Sequence, residues 1–169
     1  MTEKEDNEIA ERKKHDDSNT SLVQSLIDSF RDAFNNHDPK KLASLLVEDG
    51  EWTDVIGTTM VGRLEIEQQH TYPFQSVLKE ATLNVTSFRN KWIKDNIVSI
   101  DIRWESTGHQ TPEGDHISTI RYGLLNIVAE KINNGGKDPI LRIVLAHNND
   151  YTSTFTQKDR KKVVDKFKQ

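Results

Sequence analysis

The chain contains no cysteine, and its 169 residues include only eight glycines and four prolines. Without cysteine it can form neither disulfides nor thiolate metal sites, and it lacks a cysteine nucleophile. No apolar run approaches the roughly 20 residues that a membrane span needs. The first 17 residues have no apolar stretch typical of a signal peptide. We therefore expect a cytoplasmic protein without a membrane partner.

The overall charge is close to neutral, with 23 basic and 27 acidic residues and a formal net charge of −4. This balance gives no electrostatic signature of nucleic-acid binding. Glycine-rich phosphate loops, dinucleotide-binding motifs and the His-Glu-x-x-His pattern of zinc enzymes are all absent. The sequence therefore predicts no nucleic-acid partner, no cofactor and no metal, unless folding assembles His70, His147 and an aspartate into a metal site.

Charged residues are concentrated at the two ends of the chain. Residues 1–17 hold seven acidic and four basic side chains, which predicts a disordered or loosely helical tail. Residues 157–169 hold six basic and two acidic side chains, which predicts a basic tail or a short helix. The folded domain is expected to span residues 18–156, a length typical of one domain.

Helical periodicity dominates the first part of this domain. Apolar residues recur at helical spacing over residues 22–34, and a second, short helix is expected to begin at Pro39. A third helix should begin near Arg63, and Pro73 must kink it or end it. Between the second and third helices, residues 51–56 are predicted to form a strand. Asp49-Gly50 is expected to form the turn before it, and Gly57 and Gly62 to bracket the turn after it.

Long strands are predicted after residue 80. The segments are rich in valine, isoleucine, threonine and aromatics, and turn signals separate them: 81–93, 97–107, 116–130 and 140–153. Adjacent long strands with short connections indicate an antiparallel meander. Strands of this length should bend, and we expect bulges near Gly108 and Gly123. Three helices followed by one curved sheet define an α+β fold with the helices on one sheet face.

Several short motifs carry a resemblance to a known family. They are Asn36-His37-Asp38 before Leu42-Ala43, Trp52-x-Asp54-Val55-x-Gly57, Gly62-Arg63 with Ile66, Glu67 and His70, and His147-Asn148-Asn149 before Tyr151-Thr152. In this order they resemble the nuclear transport factor 2-like superfamily, and within it the SnoaL-like group of the SgcJ/EcaC type. The resemblance covers about residues 20–155.

The resemblance implies a cone-shaped α+β barrel with one pocket between the curved sheet and the helices. It also implies a homodimer formed through the outer sheet face. Proteins of this superfamily include isomerases, dehydratases, cyclases, epoxide hydrolases and members without known activity. The fold by itself therefore does not assign a reaction.

Asp54 and His70 are the candidate catalytic residues. Asp54 shares a strand face with Trp52, and an aspartate beside an indole in a dry cavity can act as a general acid or base. His70 lies on the apolar stripe of the third helix and would complete a proton-transfer pair. The alternatives are an Asp54 held by turn amides or Arg63, and a core His70 bonded to a carbonyl.

A second group of residues is expected to form the pocket wall. Aromatic side chains would supply its apolar surface, and polar residues of the last strand would orient a substrate oxygen. The alternatives are that the aromatics are plain core and that the polar residues of the last strand face solvent. The predicted pocket residues are Trp52, Phe30, Phe34, Phe74, Tyr122, Trp104, His147 and Asn149.

Charged residues on the predicted strand 97–107 allow one further interpretation. Asp101 and Arg103 share a strand face, which is similar to the carboxylate–arginine arrangement of epoxide hydrolases in this superfamily, with Asp54 or Asp150 as the second carboxylate. The alternative is a set of ion pairs on the outer sheet surface. The sequence thus favours a protein that binds a small apolar molecule, with or without acid/base chemistry; a non-catalytic carrier or a dimeric interaction module is the alternative.

Overall fold

A computed structural model describes the backbone of residues 3–151 and the side chains of residues 17–151, apart from Asn134 and Lys137. The described residues form three helices and six strands, and all three helices precede the four long strands. In order they are α1 (Glu3–Asn35), α2 (Pro39–Ser44), β1 (Leu46–Thr53), β2 (Thr59–Val61), α3 (Arg63–Gln75), β3 (Thr82–Lys94), β4 (Ile97–Thr107), β5 (Arg121–Asn134) and β6 (Lys137–Asp150). Within the described residues, no helix is long and apolar enough to cross a membrane.

The first helix is longer than the apolar periodicity predicts. It begins at Glu3, so the backbone of residues 3–17 continues the helix that packs on the body of the protein. Its buried face starts at Val23 and continues through Ile27 and Phe30 to Ala33. Residues 157–169 lie outside the described residues, and the predicted boundaries of the domain at residues 18 and 156 stay predictions.

The turn after α1 joins the helices to the sheet. The Asn35 side-chain amide donates to the Leu83 carbonyl and accepts from the Leu83 amide, at 3.0 and 2.7 Å. His37 has a φ of 51°, which reverses the chain, and its Nε2 bonds the Ala81 carbonyl. Asp38 then caps α2 by accepting from the Lys41 amide, and Pro39 occupies the first turn of α2.

The predicted antiparallel meander is confirmed. The six-stranded sheet has the order β2-β1-β6-β5-β4-β3, in which β3 to β6 pair antiparallel in sequence. The one parallel pair in the described sheet is β1 with β6, which brings Trp52 beside Ala146. The curved sheet and the helices on its inner face form the predicted α+β cone, with one core between them.

Three local predictions are corrected. Asp49-Gly50 is not a turn, because β1 begins at Leu46 and runs through both residues, with a shift in its pairing to β6. The segment between Gly57 and Gly62 contains the short strand β2, which pairs with the end of β1. The fifth strand begins at Arg121, because the residues before it form a loop held by the bridge between Gln110 and His116.

The bulge that reverses the phase of β6 lies at Val144. Val128 pairs with Leu145 and Ala129 pairs with Ile143, so Val144 has no partner in this ladder. Ile143 faces inward before the bulge, and Ala146 faces inward after it. A regular strand would have placed Leu145 inward instead, because side chains alternate with period two.

Gly123 is needed for packing rather than for a bulge. The β4–β5 ladder is regular there, with Gly123 opposite Trp104. A Cβ atom on Gly123 would lie 1.9 Å from the Trp104 ring and 2.6 Å from the Asn149 carbonyl oxygen. The indole therefore lies over a position where only hydrogen fits.

We predict that Gly123→Ala lowers the free energy of unfolding by about 1–3 kcal/mol, because the methyl group overpacks the site. Urea unfolding followed by tryptophan fluorescence measures this loss. In a Trp104→Leu background the same substitution should cost less, since the ring atoms are gone and the contact with the Asn149 carbonyl is left. Equal costs in the two backgrounds would contradict the assigned packing.

Candidate functional site

A cavity of about 480 Å³ lies between the inner sheet face and the helices. Its volume falls in the range of pockets that hold small molecules. Most of its wall is apolar, and five predicted aromatic residues line it: Phe30, Phe34, Trp52, Phe74 and Trp104. The aromatic side chains thus form both the core of the cone and the wall of its cavity.

The aromatic rings on two helices and one strand pack against one another. Phe30 and Trp52 have ring centroids 6.1 Å apart, and Phe34 meets Phe74 edge-on at 5.6 Å. Such tilted and edge-to-face pairs are favoured by the ring quadrupoles and give a rigid wall. The side chains of α1, β1 and α3 are therefore held in fixed positions around the cavity.

His70 lines this cavity and has one nitrogen engaged by the backbone. Its Nδ1 lies 2.8 Å from the Ile66 carbonyl oxygen. Because a carbonyl only accepts, Nδ1 carries the proton and Nε2 of the neutral ring is an acceptor. Trp52 packs edge-on at 5.5 Å and Phe74 lies at 5.9 Å. Burial lowers the pKa of His70, against smaller raising effects of the Ile66 hydrogen bond and the Asp54 charge.

Asp54 also lines the cavity, but its carboxylate is bound within its own turn. Oδ1 accepts from the amides of Ile56 and Thr58 at 3.0 and 2.9 Å. Backbone amides hold it, whereas the Arg63 guanidinium bonds the Leu46 carbonyl instead. Within the described residues no hydrogen bond joins Asp54 to His70. The structure therefore brings both predicted residues to one cavity and couples them by charge alone.

The structure corrects the expected placement of three pocket residues. His147 and Asn149 are exposed and do not line the cavity, since the bulge at Val144 turns Ala146 and Asn148 inward instead. Tyr122 is 41% exposed on the outer face, one residue out of phase with the inward-facing Arg121 and Gly123. Successive side chains of a strand point to opposite faces of the sheet. A prediction that is one residue out of phase therefore names the neighbour of the residue that faces inward.

A polar relay that the sequence analysis did not assemble occupies one end of the cavity. The Arg121 Nη1 lies 3.2 Å from Nδ1 of His109, and Nε2 of His109 lies 2.8 Å from the Ser106 hydroxyl. Since guanidinium only donates, Nδ1 accepts and Nε2 donates to Ser106, which in turn donates to the Thr82 carbonyl. The inward alternation of β4 predicts Ser106; His109 lies in a loop and had no such signal.

Two strand-end side chains complete this polar end. The Trp104 indole donates to Oδ1 of Asn148 at 2.9 Å, and Arg121 forms an ion pair with Asp150, its Nε 2.7 Å from Oδ2. Burial and the Arg121 charge lower the pKa of His109 to about 4. His109 is therefore neutral at pH 7 and serves as an acceptor for Arg121, and its Nε2 proton excludes it as a base toward Ser106.

The Asp101 cluster lies on the opposite sheet face from the cavity. Asp101 pairs with Arg89 on β3 and accepts from the Asn126 amide on β5. Neither Asp101 nor Arg103 lines the cavity, so the predicted carboxylate–arginine pair is not in the pocket. Arg121, which does line the cavity, pairs instead with Asp150. In the described part of the chain, no three histidine, aspartate or glutamate side chains are grouped to hold a metal ion.

Solved structures with a cystatin-like fold superpose on most of the chain. An uncharacterised protein from Caulobacter vibrioides has a TM-score of 0.69 and 21% identity, with 83% of this chain and 94% of that chain covered. A ketosteroid isomerase-like protein from Erwinia carotovora atroseptica has a TM-score of 0.61 and 12% identity, covering 78% and 95%. A type 2 hexachlorocyclohexane dehydrochlorinase has a TM-score of 0.64 and 16% identity, covering 81% and 88%.

No protein-family model matches the chain, and neither does any curated protein. The structural likenesses establish the fold, which is the cystatin-like or nuclear transport factor 2-like α+β cone. The fold predicted from the motifs is confirmed.

We predict that His70 is neutral at pH 7, because burial lowers its pKa below 6.5. Asp54→Asn should lower this pKa further, since it removes a charge that favours imidazolium while Oδ1 can still accept from both amides. A titration of the His70 Cε1–H signal by NMR measures both shifts. An upward shift in the variant would contradict the charge coupling.

A second pH dependence concerns stability. The pKa of His109 is about 4 in the folded protein and about 6.5 when unfolded, so the unfolded chain binds more protons between these values. The contribution of His109 to stability is full above about pH 6.5 and is lost as pH falls through about 4, amounting to about 3 kcal/mol at most. Urea unfolding of wild type and His109→Gln over this range measures it. Parallel curves for the two proteins would contradict the assignment.

Proposed function

We propose that the protein binds a small, largely apolar molecule in the cavity and that His70 acts there as a base in cofactor-independent proton transfer. The observation that carries the proposal is the Nε2 acceptor of a neutral histidine at an apolar cavity wall. Isomerase, dehydratase and cyclase reactions need such a base and a dry pocket.

The surroundings of His70 support this role. The Ile66 carbonyl holds the proton on Nδ1, so the lone pair of Nε2 is available without a change of tautomer. The lowered pKa keeps the ring unprotonated near neutral pH. After proton abstraction, the charge of Asp54 favours the imidazolium that has formed, which gives the pair unequal roles: His70 as base and Asp54 as electrostatic partner.

The structural neighbours are consistent with such chemistry. Their names include a ketosteroid isomerase-like protein and a dehydrochlorinase, two kinds of activity that remove a proton from carbon. We further propose membership of the SnoaL-like group of the SgcJ/EcaC type. This assignment rests on the sequence motifs around His37, Trp52 and His147.

One observation favours a second candidate, a non-catalytic ligand carrier. Oδ1 of Asp54 is already bound by two backbone amides, and no hydrogen bond aligns Asp54 with His70 within the described residues. A carrier needs the apolar cavity but no aligned pair. The two candidates therefore share the ligand class and differ only in turnover.

We also propose a homodimer formed through the outer sheet face. Apolar side chains of β5 and β6 are grouped there beside the Asp101 cluster: Tyr122, Leu124, Val128 and Leu145. Burial of such a patch is a usual reason for association.

An interaction module is the further alternative. In that case removal of residues 1–17 or 157–169 would abolish binding of the partner, and substitutions in the cavity would have no effect on it.

We predict that His70→Ala lowers turnover at least ~100-fold, as expected on removal of a general base, while ligand affinity changes only a few-fold. A β,γ-unsaturated ketosteroid and a hexachlorocyclohexane are suitable probes, followed by enone absorbance and chloride release. His116→Ala is the matched control, because the His116 side chain is exposed and does not line the cavity, so turnover should be unchanged.

Asp54→Asn separates the two candidates further, since it keeps the turn and removes only the charge. Reduced turnover with unchanged affinity supports the enzyme. Binding of the probes without turnover, with His70→Ala affecting affinity alone, would overturn the catalytic proposal in favour of the carrier.

A further inference from the structure

The guanidinium of Arg121 has hydrogen-bond donors left over at the cavity wall. Arginine has five N–H donors in a rigid plane. Nε and one N–H of Nη2 are directed at Asp150, and one N–H of Nη1 is directed at His109. Among the described residues, two of its N–H donors remain without a partner, one on Nη1 and one on Nη2. Two adjacent donors in one plane match the two oxygens of a carboxylate.

Asn148 adds a third donor at the same end of the cavity. The Trp104 indole N–H only donates, so the Asn148 atom that faces it is Oδ1. The amide orientation is therefore determined by the indole, and the Asn148 NH₂ group is left to donate. Arg121 and Asn148 both line the cavity. The polar groups that they present to it are N–H donors.

The hydrogen bonds behind Arg121 fix the direction in which its N–H groups donate. The Thr82 carbonyl accepts from Ser106, Ser106 accepts from His109, and His109 accepts from Arg121. No member can rotate its donor toward Arg121 without breaking a bond to an acceptor. Apolar surroundings also strengthen charge-assisted hydrogen bonds, because the effective dielectric constant is low.

We propose that the ligand of the cavity is an apolar carboxylate, whose acid group binds Arg121 and Asn148 while its apolar body packs on the aromatic wall. This inference rests on the proposed function, since it names the chemical class of the molecule that the cavity binds. His70 and the donor pair are contributed by different elements, α3 and the ends of β5 and β6. The carboxylate would then orient the apolar body past His70.

The test compares two probes of equal size, biphenyl-4-carboxylate and biphenyl-4-carboxamide, by isothermal titration calorimetry at neutral pH with the full chain. The carboxylate offers only acceptors, whereas the carboxamide places an NH₂ group against donors. We expect the wild type to bind the carboxylate on the order of tenfold or more tightly, as loss of a charge-assisted hydrogen bond would give.

Two variants assign the preference to this end of the cavity. Arg121→Gln should weaken carboxylate binding about 10–100-fold. Asn148→Asp keeps an acceptor for the Trp104 indole and replaces the donor by a negative charge, so it should also remove the preference while carboxamide binding changes little. Asn148→Asp keeps the test valid if Arg121→Gln, which leaves Asp150 and His109 without this partner, fails to fold.

Each outcome decides a different point. Equal binding of the two probes by the wild type would overturn the carboxylate inference and leave the apolar cavity of the proposed function intact. A preference that persists in both variants would overturn the assignment to Arg121 and Asn148. Binding of neither probe at millimolar concentration would overturn the inference and the proposed function together.

Discussion

The phase of side chains along β6 is the constraint on which the cavity depends. The inner sheet face is buried, so each strand residue there points either into the cone or out of it. Val144 adds one unpaired residue, and after it Ala146 and Asn148 face inward where a regular strand would present Leu145 and His147. The bulge therefore decides that the cavity receives an amide and that an imidazole stays outside.

Trp104 fixes the position of Asn148 at the polar end of the cavity. The indole fits over Gly123, and its N–H then meets Oδ1 of Asn148. On the same side, Arg121 has its charge balanced by Asp150 and its orientation set by neutral His109. Hydrogen-bond donors are thereby directed into a space that is otherwise apolar, which is how small-molecule pockets combine affinity with orientation. His70 stands apart from this group, with its protonated nitrogen bonded to its own helix and its Nε2 acceptor among aromatic rings.

Much of the fold could be predicted because the signals are local. Helical periodicity identifies the packed part of α1, Pro39 defines the start of α2, and β-rich segments between turns define the meander. The aromatic residues of the cavity wall were predicted as well, since they occupy apolar positions of helices and strands that face one core. The error at Asp49-Gly50 arose because a turn-forming dipeptide can also lie within an irregular strand when neighbouring strands supply hydrogen bonds.

The sequence by itself determined the α+β class, the order of helices and meander, and the apolar character of the interior, because each depends on residue periodicity and on turn residues close in the chain. The tertiary structure alone decided which residues meet at the polar end of the cavity, around Arg121 and Asn148. A bulge shifts the side-chain phase by one residue without a clear local signal, and the loop residue His109 reaches Arg121 only through the fold. The side-chain phase of β6 and the contact of His109 with Arg121 both depend on long-range pairing between strands. The register of a strand is defined by its partner strand and not by the segment itself.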